Sequence, residues 1–342
     1  MQKRKYHIAI LSVGLLAISS VSAQGQTEEK VIIQPGAIDR CTFLAIDNGY
    51  STYYEELSAE HQAWRIHVLN RSGIPVCSID PLGQIEGAKD LSVYDVSVGR
   101  SGLIAVSLVA VDDMSDPASM LLMYDLAGRL KNALKLEPGK HLEKLKVDAD
   151  DSIWGVGYSS GASDPSRVPM FYRFSELGKR TEGFFARSDF PEIASGTKNY
   201  VVTPSTHVPI GFGVTPKTVW CWLPSSQELV LFDKSGSNLR RYRTGLPESP
   251  YRDLDRTKIQ SFFMTDSGSM IAYVGFSSLG QRLVRAHLFA WNPTASIWTP
   301  IPHEGIETWA DRPVGTEGNR LILLSRAERG TMVLSWESLE SR

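Results

Sequence analysis

Short apolar runs alternate with tight polar turns along almost the whole chain. The stretch Ser119–Tyr158 shows the grammar. Met120–Tyr124 is apolar and meets the turn Asp125-Leu-Ala-Gly128. A second run leads to a break at Pro138-Gly139, Leu142–Val147 meets the acidic turn Asp148–Asp151, and Ile153–Tyr158 leaves it. Few windows carry apolar residues at i, i+3, i+4 and i+7. Runs rich in β-formers and bounded by Gly, Asp, Asn, Ser and Pro dominate instead. The pattern returns roughly every 45 to 50 residues, the signature of a repeat architecture.

Each repeat reads as four antiparallel strands, a to d. Lys30–Gln34 is a lone strand. Repeat one uses Thr42–Ile46, Ser51–Glu56, Ala63–Leu69 and Ile74–Ile79. Repeats two to five run over Leu91–Leu136, Leu142–Phe185, His207–Arg243 and Gln260–Ile301. Repeat six has only Pro313–Thr316, Arg320–Ser325 and Thr331–Trp336, one strand short. Placing the spare first strand at its outer edge uses every strand once and removes a ragged join. The expectation is an all-β, six-bladed β-propeller whose N-terminal strand completes the last blade. No Pro/Ser/Gly linker divides it, so residues 24–342 are expected to form one domain.

The first residues read as export machinery. Lys3, Arg4 and Lys5 precede the apolar stretch Ile8–Ile18, and Val21 and Ala23 fit the −3 and −1 positions of a cleavage site. The apolar core is short of the ~20 residues a membrane span needs. A signal peptide over 1–23 is therefore expected, with Gln24 as the mature start and a periplasmic or secreted, monomeric product. Its removal leaves 33 Lys+Arg against 38 Asp+Glu, a net charge of −5. Such a chain has no bulk attraction for nucleic acid. Export permits a disulfide, and Cys41 and Cys77 are the pair nearest in sequence. They fall on the first and fourth strands of one blade, however. At ~4.8 Å per strand step that is ~14 Å, beyond the ~7 Å a bridge can span.

The D-x-x-G turns Asp125-Leu-Ala-Gly128 and Asp233-Lys-Ser-Gly236, with Val147-Asp-Ala-Asp-Asp-Ser-Ile-Trp154, resemble the six-bladed propellers of the NHL-repeat type found in exported bacterial proteins. The resemblance covers about residues 30 to 340. It implies a fold shared by binding modules, scaffolds and some enzymes.

Candidate chemistry is sparse. No G-x-S-x-G elbow, H-E-x-x-H, P-loop or dinucleotide fingerprint appears, and no cofactor is expected. The turn aspartates Asp47, Asp125, Asp148, Asp233 and Asp266 suit side-chain bonds to backbone two residues on, with Gly taking positive φ. These turns join a to b and c to d on one face of the disc. The b-to-c and d-to-a connections on the other face are long, about twenty residues over Arg187–Thr206. They include the repeated tripeptides Ser115-Asp116-Pro117 and Ser163-Asp164-Pro165. That asymmetry points to the long-loop face as the binding surface for an unknown protein or small molecule. Two groups there combine an aromatic, an arginine and an aspartate: Tyr251-Arg252-Asp253, and Trp309 with Asp311 and Arg312. Gluconolactonase- and paraoxonase-like hydrolases, also six-bladed propellers, hold a divalent cation in the axial channel. Here Asp90, Glu143, His207 and Asp311 would supply oxygen and nitrogen ligands at inner-strand starts, the oxygens suiting Ca²⁺. An axial-pocket hydrolase or lyase, metal-dependent or not, is therefore the alternative function. Trp154, Trp220, Trp222, Trp291 and Trp336 are expected in the core.

Overall fold

The computed structural model describes residues 29–33, 41–58, 63–111, 117–138, 140–159, 167–190, 211–224, 226–278, 280, 285–308, 311–326 and 332–338. The leader and its cleavage site, the second Ser-Asp-Pro tripeptide, Ser115 and Asp116 of the first, His207, Trp309 and most of Arg187–Thr206 lie outside these residues. The Cys41 side chain does too.

Six four-stranded antiparallel sheets follow one another along the chain. After β1 (Glu29–Ile33), blade one holds β2 (Cys41–Asp47), β3 (Tyr50–Ser58), β4 (Ala63–Leu69) and β5 (Pro75–Ile79). Blade two holds β6 (Asp90–Val98), β7 (Ile104–Val111), β8 (Ala118–Tyr124) and β9 (Leu130–Lys135). Blade three holds β10 (Lys140–Val147), β11 (Ile153–Ser159), β12 (Pro169–Phe174) and β13 (Arg180–Ala186). Blade four holds β14 (Gly211–Val214), β15 (Thr218–Leu223), β16 (Glu228–Asp233) and β17 (Arg240–Arg243). Blade five holds β18 (Arg256–Met264), β19 (Met270–Ser277), β20 (Arg285–Asn292) and β21 (Ile297–Ile301). Blade six holds β22 (Asp311–Glu317), β23 (Arg320–Arg326) and β24 (Met332–Ser338). Its fourth strand is β1, which pairs antiparallel with β24 from Glu29↔Trp336 to Ile33↔Met332. The ring closes as the strand count requires: each innermost strand touches the next, and β22 touches β2.

Burial explains the sequence pattern. Second strands lie between neighbouring blades, so most of them read as mainly apolar runs; in β7 every residue but Val111 is buried, Ser107 included. Outermost strands face water, and none of β9 or β13 is buried. Blades three and four meet through Trp154, Phe171 and Phe232. Blades four and five meet through Trp220, Trp222 and Phe262, the last two stacked at 6.2 Å. All five tryptophans expected in the core are buried. Cys77, on β5 with two strands between it and β2, is a free thiol, as is buried Cys221.

One device recurs in the innermost strands. The pairing of a with b slips by one residue between Phe43 and Ala45, Val93 and Asp95, Leu142 and Lys144, Ile259 and Ser261, and Pro313 and Gly315. Each slip is a β-bulge that re-aims the residues after it. In blade three, Lys144 and Lys146 are left half-buried beside the axis, while Leu145 and Val147 are buried between blades.

Candidate functional site

A cavity of about 1200 Å³ runs from the middle of the innermost strands to the tight a–b turns. Its walls differ. Ala45, Asp47, Asp95, Lys144 and Lys146 from blades one to three form a charged side. Val214, Pro216, Phe263 and Val314 from blades four to six form an apolar patch, with Gly211, Gly213 and Gly315 between them and the charged groups Lys234, Asp266, Arg312 and Glu317 also in the lining. A Cβ on Gly211 would lie 2.3 Å from the Phe262 carbonyl oxygen, so glycine is what lets blade five approach there.

Charges on the first side are paired across blades. Asp95 accepts from the Leu145 backbone N–H at 2.8 Å, and its other oxygen lies 3.9 Å from Lys144 Nζ. Ser97 Oγ accepts from the Val147 N–H at 2.9 Å. Lys146 donates to Asp47 Oδ1, reaching from blade three past blade two to blade one. The Asp47 side chain is 8% exposed and Lys146 29%. The Ser97 hydroxyl faces the Asp47 carboxyl, yet among the described residues Oδ2 has no hydrogen-bond partner in bonding geometry. Burial pushes the Asp47 carboxyl above its ordinary value against the pull of Lys146. Glu143 is also buried, its carboxyl raised by desolvation and its Oε1 without a hydrogen-bond partner among the described residues.

The cavity rim is stapled turn to turn. Asn48 donates to the Val98 carbonyl at 2.8 Å, Ser101 to Asp151 at 2.6 Å, and Lys234 to Asp148. Asp266 N–H donates to the Gly318 carbonyl at 3.0 Å, and Arg71 pairs with Glu317 at 3.0 Å. The turn aspartates thus divide. Asp125 does the expected local work, accepting from the Ala127 N–H at 2.9 Å while Gly128 takes φ 75°. Asp47 and Asp148 carry ion pairs to other turns and strands, Asp148 while its Oδ1 also accepts from the Ala149 N–H of its own loop at 2.7 Å.

On the long-loop face, the residues singled out in sequence do separate jobs. Tyr251 Oη lies 2.5 Å from His287 Nε2, and His287 Nδ1 lies 3.4 Å from Glu307. Glu307 ends α1 (Glu304–Glu307), which is capped by His303, itself 3.0 Å from Glu337. Arg252 and Asp253 are exposed. Asp311 accepts from Ser325 and packs on Gly305, where a Cβ would sit 1.9 Å from its Oδ2. Arg312 lines the cavity. Of the proposed axial ligands, Asp90 Oδ1 accepts from the Leu91 N–H at 2.7 Å. Among the described residues, no three His, Cys, Asp or Glu side chains are grouped to hold an ion.

His287 sits below the ordinary histidine value of 6.5, chiefly through burial, with Glu307 pulling the other way. His141, 2.7 Å from Ser119 Oγ, is lowered by burial too. Both are held neutral when folded, so the unfolded chain binds more protons below that value. Their contribution is present above 6.5 and is lost as pH falls through the lower folded values. The melting temperature should therefore drop between about pH 7 and pH 5, and His287→Gln should flatten part of that slope. An unchanged slope would show that His287 is not a contributor.

From sequence, Lys144 counts only as a charge that would neutralise the candidate metal carboxylates, and Lys146 is passed over. Their trace is the alternation Lys-Leu-Lys-Val in an innermost strand, charge at every second position where one face meets the axis.

No family model matches the chain, and no curated protein matches it by sequence. Solved structures do match. A candidate exported protein of Bacteroides fragilis is 9% identical with a TM-score of 0.51, over 90% of this chain and 94% of that one. A luciferin-regenerating enzyme is 11% identical with a TM-score of 0.48, over 91% and 96%. The likeness to the first is one of fold, and it agrees with the six-bladed β-propeller described above.

Proposed function

We propose that this protein is an exported binding module that holds its ligand in the axial cavity. The observation that carries the reading is a cavity of about 1200 Å³ whose charged groups, Asp47, Lys144 and Lys146 among them, stand across from an apolar patch of Val214, Pro216, Phe263 and Val314 on blades four to six. Concave sites that set placed polar groups beside apolar surface are where small ligands bind. The basic, apolar and small-residue leader supports export, and no described helix is long and apolar enough to cross a membrane. The long-loop face, with Arg252 and Asp253 exposed, is the second reading. Hydrolysis or lysis in the same cavity would appear as turnover of the retained compound.

Protein purified from its native host should carry a low-mass compound detectable by native mass spectrometry. Ala45→Trp, which fills the half-exposed cavity position Ala45, should lose it with the β-sheet signal intact. An Arg252→Ala/Asp253→Ala variant should keep it. Loss in the loop variant together with retention in Ala45→Trp would move the site to the long-loop face.

A further inference from the structure

The Lys146–Asp47 pair is unusual in its place. The other charged staples described at the rim join neighbouring blades, whereas this one skips a blade and lies along a cavity wall. Its carboxylate is more than nine-tenths buried and, among the described residues, keeps one oxygen without a hydrogen-bond partner in bonding geometry although the Ser97 hydroxyl faces it, while its other oxygen takes a charged bond from partly exposed Lys146. Burying a carboxylate this way costs more than the pair returns unless its second oxygen is also met. Lys144 adds a second ammonium on the same strand, 3.9 Å from Asp95.

We infer that the Lys146–Asp47 pair is a placeholder that opens around an amphoteric ligand, one with a protonated amine, an anionic end and an apolar body. The inference rests on the axial-cavity reading above. The ligand's ammonium takes the place of Lys146 Nζ at Asp47 and supplies the donor its second oxygen lacks. Lys146, released, turns with Lys144 to the ligand's anionic end. The apolar body lies against Phe263, Val314 and Pro216 on the opposite wall. No bond is made or broken: one ion pair becomes two. A cation alone would leave Lys146 without a partner, and an anion alone would leave Asp47 facing Lys146 as before, so each charge matters only with the other. A free amino acid and the ends of a short peptide share this chemistry.

Calorimetry with four probes on the full mature chain separates the cases: L-phenylalanine, the tripeptide Phe-Gly-Phe, 2-phenylethylamine and 3-phenylpropanoate. At least one of the first two should bind, and both single-charge probes should be weaker by about tenfold or more. Binding by the tripeptide alone identifies a peptide as the source; binding by L-phenylalanine alone identifies a free amino acid. Asp47→Asn should lower affinity for the amphoteric probe about tenfold or more while leaving the melting temperature unchanged or raised, because it removes a buried charge. Lys146→Met should weaken the same probe to a similar degree, and the double variant should be no weaker than either single one, since the two act as a unit. Equal binding of a single-charge probe, wild-type affinity in both variants, or no binding of either amphoteric probe up to about 10 mM would overturn the inference. If the compound lost by Ala45→Trp is not amphoteric, the cavity reading stands and this inference alone fails.

Discussion

Removing the N-terminal strand should cost this protein more than any surface change of similar size. A chain cut after Ile33 should melt about 10 °C lower than the intact mature chain and associate at concentrations where the latter stays dispersed. The reason is the pairing of β1 with β24, five residue pairs from Glu29↔Trp336 to Ile33↔Met332. Without β1, the backbone groups of β24 that face it become an open edge. Val31 also leaves the cluster of Leu334, Trp336 and Ile322 at the junction of blades six and one. At about 0.5 to 1.5 kcal/mol net per ladder bond, plus the apolar area of Val31, the loss is on the order of 3 to 5 kcal/mol. That is a large part of a typical folding free energy. Val31→Asp should move stability the same way by a smaller amount with the strand still present. Thermal melting and light scattering read both effects. A truncated chain that melts with the intact one and does not associate would mean that β1 contributes no closure energy.

The second large effect is expected from one methyl group. Gly157→Ala should destabilise the fold by about 3 kcal/mol, whereas Gly155→Ala, two residues away on β11, should cost about 1 kcal/mol or less. A Cβ at Gly157 would stand 1.7 Å from the His141 carbonyl oxygen and 3.0 Å from Leu142 Cα, all backbone. A Cβ at Gly155 would stand 3.0 Å from the Leu142 Cδ2 atom, the movable tip of a side chain. In an ordinary strand either change should stabilise slightly, by restricting the unfolded chain. At Gly157 it pushes β10 away just before its bulge at Glu143. The Leu145 and Val147 amides would then leave Asp95 and Ser97. Equal melting of the two variants would show that β10 shifts freely and that its bulge is not held by this close approach.

Much of the fold could be read from residue order because the physics is local. A second strand pressed between two blades is apolar at most positions, as β7 and β19 are, and a tight turn must supply a residue that tolerates positive φ. Gly128, Gly178 and Gly236 do so at c–d turns. Ring closure followed from counting, since blade six lacked a strand and the chain began with one. The bulges were not legible: Glu143 and Gln260 are extra residues in one partner of a pair, and period-two alternation survives on either side of them. The cavity chemistry was least legible. Asp47 looks like any turn aspartate in D-N-G, and nothing within reach in sequence marks that Lys146 will meet it. On the long-loop face, Tyr251 was recognisable as an aromatic in a loop. Its hydroxyl goes to His287, however, a partner that only the packing of α1 and β20 supplies.

A crystal structure of the protein purified from its native host, or soaked with the tightest amphoteric probe, tests the axial-cavity account most directly. The account predicts ligand density between Asp47 and the Phe263 side of the cavity, with Lys146 turned away from the aspartate. Ligand density against Arg252 and Asp253 on the long-loop face, with Lys146 still bonded to Asp47, would contradict it.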